Sequence, residues 1–84
     1  MKPIRLTRHA QEQCLERGAT DTEVRYAIAH GSFEPAKFGR VLYRFNFAFG
    51  QLWQGHCYAI KQVAPVIKEE VYEIVVITVY TFYF

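Results

Sequence analysis

Thr78 and Tyr80 stand two residues apart within the β-branched and aromatic stretch Val71–Phe84. On a pleated strand both point the same way. Early in the chain, His9 and Arg17 stand eight residues apart, close to two helical turns, so their side chains share roughly one side of a helix. Arg44 joins these four as a chemically able residue, with Lys61 and His56 in reserve. The sequence holds no phosphate-binding glycine loop, no Gly-x-Ser-x-Gly and no zinc-ligand spacing. His9, His30 and His56 are scattered without a carboxylate cluster, so no metal and no cofactor is expected. A set of His, Arg, Thr and Tyr suits metal-free RNA cleavage, in which the substrate's own 2′-hydroxyl is the nucleophile. His or Tyr exchanges protons, and Arg holds the phosphate and the charge that builds on it. With an ordinary pKa of about 10, Tyr serves better as acid or hydrogen-bond donor than as base. On this reading His9 and Tyr80 share proton transfer, Thr78 orients one of them, and Arg17, Arg44, Arg40 and Lys61 contact phosphate.

Plainer accounts stand beside this one. Tyr on a strand is simply a good β former. A lone His near a helix cap is commonly part of a solvated face, and His9 and Arg17 can serve only to tie helix to sheet.

The elements that must position these residues follow from local chemistry. Thr7 caps a helix over Arg8–Arg17 that Gly18 ends, with Ala10, Cys14 and Leu15 as its thin apolar stripe. Thr20 and Glu23 form a capping box for a second helix from Asp21 to about His30, whose stripe is Val24, Ala27 and Ile28. Ser32–Gly39 reads as a connector anchored by Phe33 and Phe38. Arg40–Phe49 alternates, with Val41, Tyr43, Phe45, Phe47 and Phe49 facing the helices and Arg40, Arg44 and Asn46 on the open side. Gly50–Gly55 is a turn or an irregular strand entry, and its Trp53 can stack on a base or, as is commoner, plug the end of the sheet. His56–Val63 is a strand, and Pro65 blocks its further pairing. In the last strand Val75, Ile77 and Val79 share one face, and Ile74, Val76, Thr78, Tyr80, Phe82 and Phe84 the other. The expected fold is α+β: two N-terminal helices packed on one face of a three- to four-stranded antiparallel sheet, one domain over 1–84.

A chain of 84 residues buries roughly 60–65% of its extended surface, and 51% hydrophobic content supplies a core for it. No run reaches the ~18 apolar residues of a membrane helix, and no apolar segment follows Met1-Lys-Pro-Ile-Arg5, so a cytoplasmic chain without signal peptide is expected. Cys14 and Cys57 read as free buried thiols. The net charge of +2 is uneven: residues 1–44 hold eight Lys/Arg against five acids, and residues 45–84 two against three. That permits a nucleic-acid partner without demanding one.

Leu6-Thr-Arg-His-Ala10, Glu16-Arg-Gly-Ala19, Glu23-Val24 with the Gly31 helix end, and Val76-Ile-Thr-Val-Tyr80 together resemble the bacterial domain-of-unknown-function family 4258 over about residues 6–80. That family is similar to RelE-like toxin ribonucleases, with two helices on an antiparallel sheet. The resemblance implies a metal-independent endoribonuclease of a toxin–antitoxin pair, with RNA as substrate and an antitoxin as partner. It points to His9, Arg17 and Thr78, with Tyr80 adjacent. The aromatic strand over residues 41–49 and the Gln51–Gly55 turn depart from it. The alternative is a non-catalytic interaction module, a homodimer or partner-binding domain using the Thr81-Phe-Tyr-Phe84 segment.

Overall fold

A computed structural model describes residues 2–84. In chain order the elements are β1 (Ile4–Leu6), α1 (Arg8–Arg17), α2 (Asp21–His30), β2 (Ser32–Pro35), a 3-10 turn (Lys37–Gly39), β3 (Val41–Trp53), β4 (His56–Glu69) and β5 (Ile74–Tyr83). The sheet has five strands in the order β1-β5-β4-β3-β2. Among the described residues no helix is long and apolar enough to cross a membrane.

Both helices take the bounds that their caps dictate. The Thr7 hydroxyl accepts from the Ala10 amide, and Gly18 closes α1 with a left-handed backbone at φ 76°. In α2 the Thr20–Glu23 capping box is complete in both directions. Gly31 ends α2 with extended backbone, so its need for glycine is one of space. A Cβ there would lie 2.5 Å from the carbonyl oxygens of both Ala27 and Arg44.

The sheet departs from the expected one. It is mixed rather than antiparallel, because β1 pairs in parallel with β5 through Ile4↔Ile74, Arg5↔Val75 and Leu6↔Val76. Three residues carry too little periodicity to announce a strand, and their partner lies at the far end of the chain. The connector supplies another strand, since Ser32–Pro35 pairs antiparallel with Val41–Arg44. With these two edges added, three or four strands become five. Pro65 does not stop β4 but sits buried within it, opposite Val79. On the other side, the β3–β4 pairing lapses between Leu42↔Val66 and Phe45↔Val63, the stretch that contains the proline with its missing N–H. β3 and β4 join through Gln54-Gly55, both at positive φ (49° and 85°), the backbone of a tight two-residue hairpin.

One irregularity decides which side chains reach solvent. Ile67 pairs with Val76, but its neighbour Val66 pairs with Thr78, so Ile77 is an extra residue on β5. Partners across a ladder lie on the same face. Val76 therefore faces inward with Ile67, while Thr78, Tyr80 and Phe82 face outward. The expected single face from Ile74 to Phe84 is split at this bulge.

The core lies between the helices and one sheet face. It centres on Val24, Val63, Ile67, Val76 and Val79, all fully buried, with Val41, Tyr43 and Phe47 packed against it as the β3 alternation requires. Full burial of a Val or Ile side chain stabilises by about 1.5–3 kcal/mol each. Several apolar expectations fail at the rim. Leu15 is 86% exposed, since Ala10 and Cys14 alone suffice to seat α1, and Phe33 and Phe38 stand in solvent instead of anchoring the connector. Cys14 is buried and Cys57 exposed, both unpaired.

Candidate functional site

α1 lies along the edge of β5 beyond the three residues that β1 covers. The side chains and backbone of α1 complete that edge. The Thr7 amide donates to the Val76 carbonyl at 3.1 Å, and the Thr7 hydroxyl to the Ile77 carbonyl at 3.3 Å. Nearly three turns later Arg17 Nη1 donates to the Val79 carbonyl at 2.9 Å. β5 replies at the end of the helix, where the Thr81 and Tyr83 hydroxyls both donate to the Arg17 carbonyl, at 2.9 and 2.6 Å. Helix ends leave carbonyls without intrahelical partners, and these hydroxyls satisfy one of them. Burial pushes the Tyr83 hydroxyl above its ordinary pKa, which keeps it protonated and donating. Gly18 completes the clamp: a Cβ on it would meet Tyr83 Oη at 2.6 Å and the Trp53 ring at 2.7 Å. Trp53 stacks on Tyr83 with ring centroids 4.9 Å apart, so it does plug this end of the sheet.

This docking brings four of the candidates together. His9 Nε2 lies 3.5 Å from Thr78 Oγ1, the outer limit of a hydrogen bond. The Arg17 guanidinium carbon sits 5.1 Å from the centre of the Tyr80 ring. Tyr80 and Phe82 stand side by side on the outward face, with ring centroids 6.5 Å apart and planes 24° from parallel. The Arg44 guanidinium lies 5.6 Å from the Phe82 ring. Arg44 is held by Gln62 Oε1 at 3.0 Å and Glu34 Oε1 at 3.2 Å.

Next to Thr78 and Tyr80 the outward face is hollowed. A depression of about 350 Å³ is lined by these two residues with Leu42, Val66, Lys37 and Arg40. Arg40 therefore joins the site at its rim, its guanidinium 5.9 Å from the Phe38 ring. Phe38 adopts a left-handed backbone at φ 62°, a strained conformation for a bulky residue, and its ring is solvent-exposed.

Lys61 does not join them. Its partner across β3 is Phe47, on the helix-covered face, and it is 6% exposed. Its ammonium bonds Glu23 Oε1 at 2.8 Å and the Gly18 carbonyl at 2.9 Å, fastening the corner between α1 and α2 to β4. A buried ammonium needs such partners, and with them it has no reach to a phosphate on the other side. His56 lies on the distal hairpin beside Tyr58, away from this edge. Cys14 is equally set apart: burial first, then Asp21 and Glu23, raise its thiol pKa, which disfavours a thiolate.

Sequence reasoning overlooked Thr81 and Tyr83, the residues that set Arg17 in place. Their signal was present: a hydroxyl pair two residues apart on the face shared with Val79, near a helix that must find partners for its last carbonyls. Gln13, midway between His9 and Arg17 at helical spacing, was overlooked too. Its Oε1 is buried without a partner, and nothing in the structure explains that.

No family model matches the chain, and no curated protein or solved structure is significantly similar to it.

Proposed function

We propose that this chain is a metal-independent endoribonuclease acting at the α1–β5 edge. The observation that carries the reading is the meeting of the His9 imidazole and the Thr78 hydroxyl at 3.5 Å, beside the Arg17–Tyr80 pair. The resemblance to domain-of-unknown-function family 4258 points to the same positions. Neutral His9, oriented by Thr78, takes the proton from a ribose 2′-hydroxyl. The 2′-oxygen attacks the adjacent phosphorus, and the bond from phosphorus to the 5′-oxygen breaks. The Tyr80 phenol gives its proton to that leaving oxygen. The products are a 2′,3′-cyclic phosphate and a 5′-hydroxyl. Arg17 spends one N–H on the Val79 carbonyl and keeps its others for the non-bridging oxygens. Arg40 and Arg44 hold neighbouring phosphates. The free thiols suit a reducing compartment such as the cytoplasm, where RNA is abundant. An antitoxin protein that covers this edge would be its natural restraint.

The test is cleavage of single-stranded RNA in excess chelator by the parent and by His9→Ala. Because His9 is exposed, the variant keeps its melting temperature while its cleavage rate falls about 10²–10⁴-fold. Equal rates for the two proteins overturn the assignment.

The second reading, an interaction module, is favoured by one observation: Phe82 and Phe84 leave large rings in solvent. Strand addition along β5 is not its mode, since α1 already occupies that edge, so a second copy or a partner would have to cover the rings themselves. A chain that cleaves nothing, yet sediments as a dimer that Phe82→Ala splits, belongs to this class.

A further inference from the structure

The outward face of β5 carries a row in which two neighbouring rings stand between two cations. Arg17 lies against Tyr80, Tyr80 beside Phe82, and Phe82 against Arg44, at 5.1, 6.5 and 5.6 Å. Tyr80 is 42% and Phe82 44% exposed, and among the described residues neither α1 nor α2 covers this side of the sheet. Ring faces left in water are costly unless something stacks on them. The charge around the rings is one-sided. Arg17, Lys37 and Arg40 form no ion pair among the described residues, and of the cations about the rings only Arg44 meets a carboxylate, that of Glu34. Flat apolar rings beside the unpaired guanidinium groups of Arg17 and Arg40 complement a polymer of flat bases joined by phosphates. They do not complement an apolar protein surface, which would bury those charges without partners.

We infer that this row is a stacking platform for single-stranded nucleic acid, holding bases on Tyr80 and Phe82 with the flanking phosphates on Arg17, Arg40 and Arg44. The inference rests on the ribonuclease reading for the identity of the strand, and it adds how the strand is gripped. Bases must be unstacked from a duplex to reach the rings, so the platform selects single strands. Every base has a π face, so it is tolerant of sequence. It needs no 2′-hydroxyl, and DNA of the same form binds without being cut.

The experiment is fluorescence anisotropy with a labelled oligodeoxythymidine, which cannot undergo the cleavage, at fixed low salt. The parent binds it, and a blunt DNA duplex of equal length competes poorly. Phe82→Ala weakens binding about tenfold, whereas Phe82→Trp restores it; loss of one stacked base is worth about that much. Phe82→Leu, apolar but without a π face, binds like the alanine variant. If Phe82→Ala or Phe82→Leu binds as tightly as the parent, or if the duplex competes equally, the platform is overturned, even where RNA is still cut through His9. If the parent binds no oligonucleotide and Phe82→Ala instead splits a dimer, the rings belong to a protein contact and the inference falls. If binding depends on Phe82 but no RNA is cut, the platform stands and the ribonuclease reading fails.

Discussion

On the helix-covered face of the sheet Lys61 lies 5.4 Å from the centre of the Phe49 ring; on the outward face Arg17 lies 5.1 Å from that of Tyr80. Each cation also bonds a backbone carbonyl, Gly18 for the lysine and Val79 for the arginine. The difference is a carboxylate. Lys61 has Glu23 at 2.8 Å and is sealed from water, while among the described residues Arg17 pairs with no acid. A charge that leaves water must be matched or the fold loses stability, and once matched it has nothing left to offer a ligand. A charge that stays at the surface can remain unmatched at little cost. Two cations with nearly the same ring distance thus do opposite work. One consolidates the helical corner, and the other stays without a carboxylate at the surface.

The contrast can be broken most directly at Lys61. Lys61→Ala leaves the Glu23 carboxylate with the Thr20 amide alone and the Gly18 carbonyl without its ammonium donor, and should lower unfolding free energy by about 3 kcal/mol in urea titrations. A loss below about 1 kcal/mol would put Lys61 in the class of surface cations and erase the distinction. The next test uses two nearby residues of one strand. Val79→Ala, in the core, should cost about 2 kcal/mol. Phe82→Ala, on the outward face, should change stability by no more than about 0.5 kcal/mol. Similar costs would mean that both faces are structural. The smallest effect belongs to a matched pair left in water. Arg5 Nε and Nη2 grip Glu73 at 3.0 and 3.1 Å, and that hydrogen bond holds the Glu73 carboxyl below its usual pKa of 4.5. A lowered folded pKa adds stability that is complete above 4.5 and disappears as pH falls through the lower folded value. Carbon-detected NMR titration should find the Glu73 midpoint below the ordinary carboxylate value and restored to it in Arg5→Ala, with little change in melting temperature.

What could be read in advance was whatever residues decide with their near neighbours. Thr7, Gly18, Thr20 and Glu23 fix the helices through contacts three or four residues apart, and His9 and Arg17 share a side by helical period alone. The alternation from Val41 to Phe49 told which side takes the helices. What escaped depends on distant partners. Ile4–Leu6 is a strand only because Ile74–Val76 lies beside it. Pro65 is tolerated in β4 only because the ladder to β3 lapses at that point. Thr78 and Tyr80 were grouped on one face with Ile74 and Val76. A single unpaired residue, Ile77, turns them to the other side, and no local pattern announces it. Lys61 fell on the wrong face for a related reason. Once the helices are in place, the end of α1 and the capping box of α2 bring a carbonyl and a carboxylate over its position, and those partners come from residues 18 and 23.

The parallel pairing of β1 with β5 has a consequence in time. His9 and Thr78 are separated by 69 positions, and Arg17 is clamped by hydroxyls 64 and 66 positions away. A growing polypeptide therefore holds half of each contact until β5 has been made, and contacts between such remote segments close late in folding. Copies that stop short of β5 hold an imidazole without its hydroxyl neighbour and an Arg17 carbonyl without the hydroxyls that clamp it. The α1–β5 edge is therefore among the last parts of the fold to take shape.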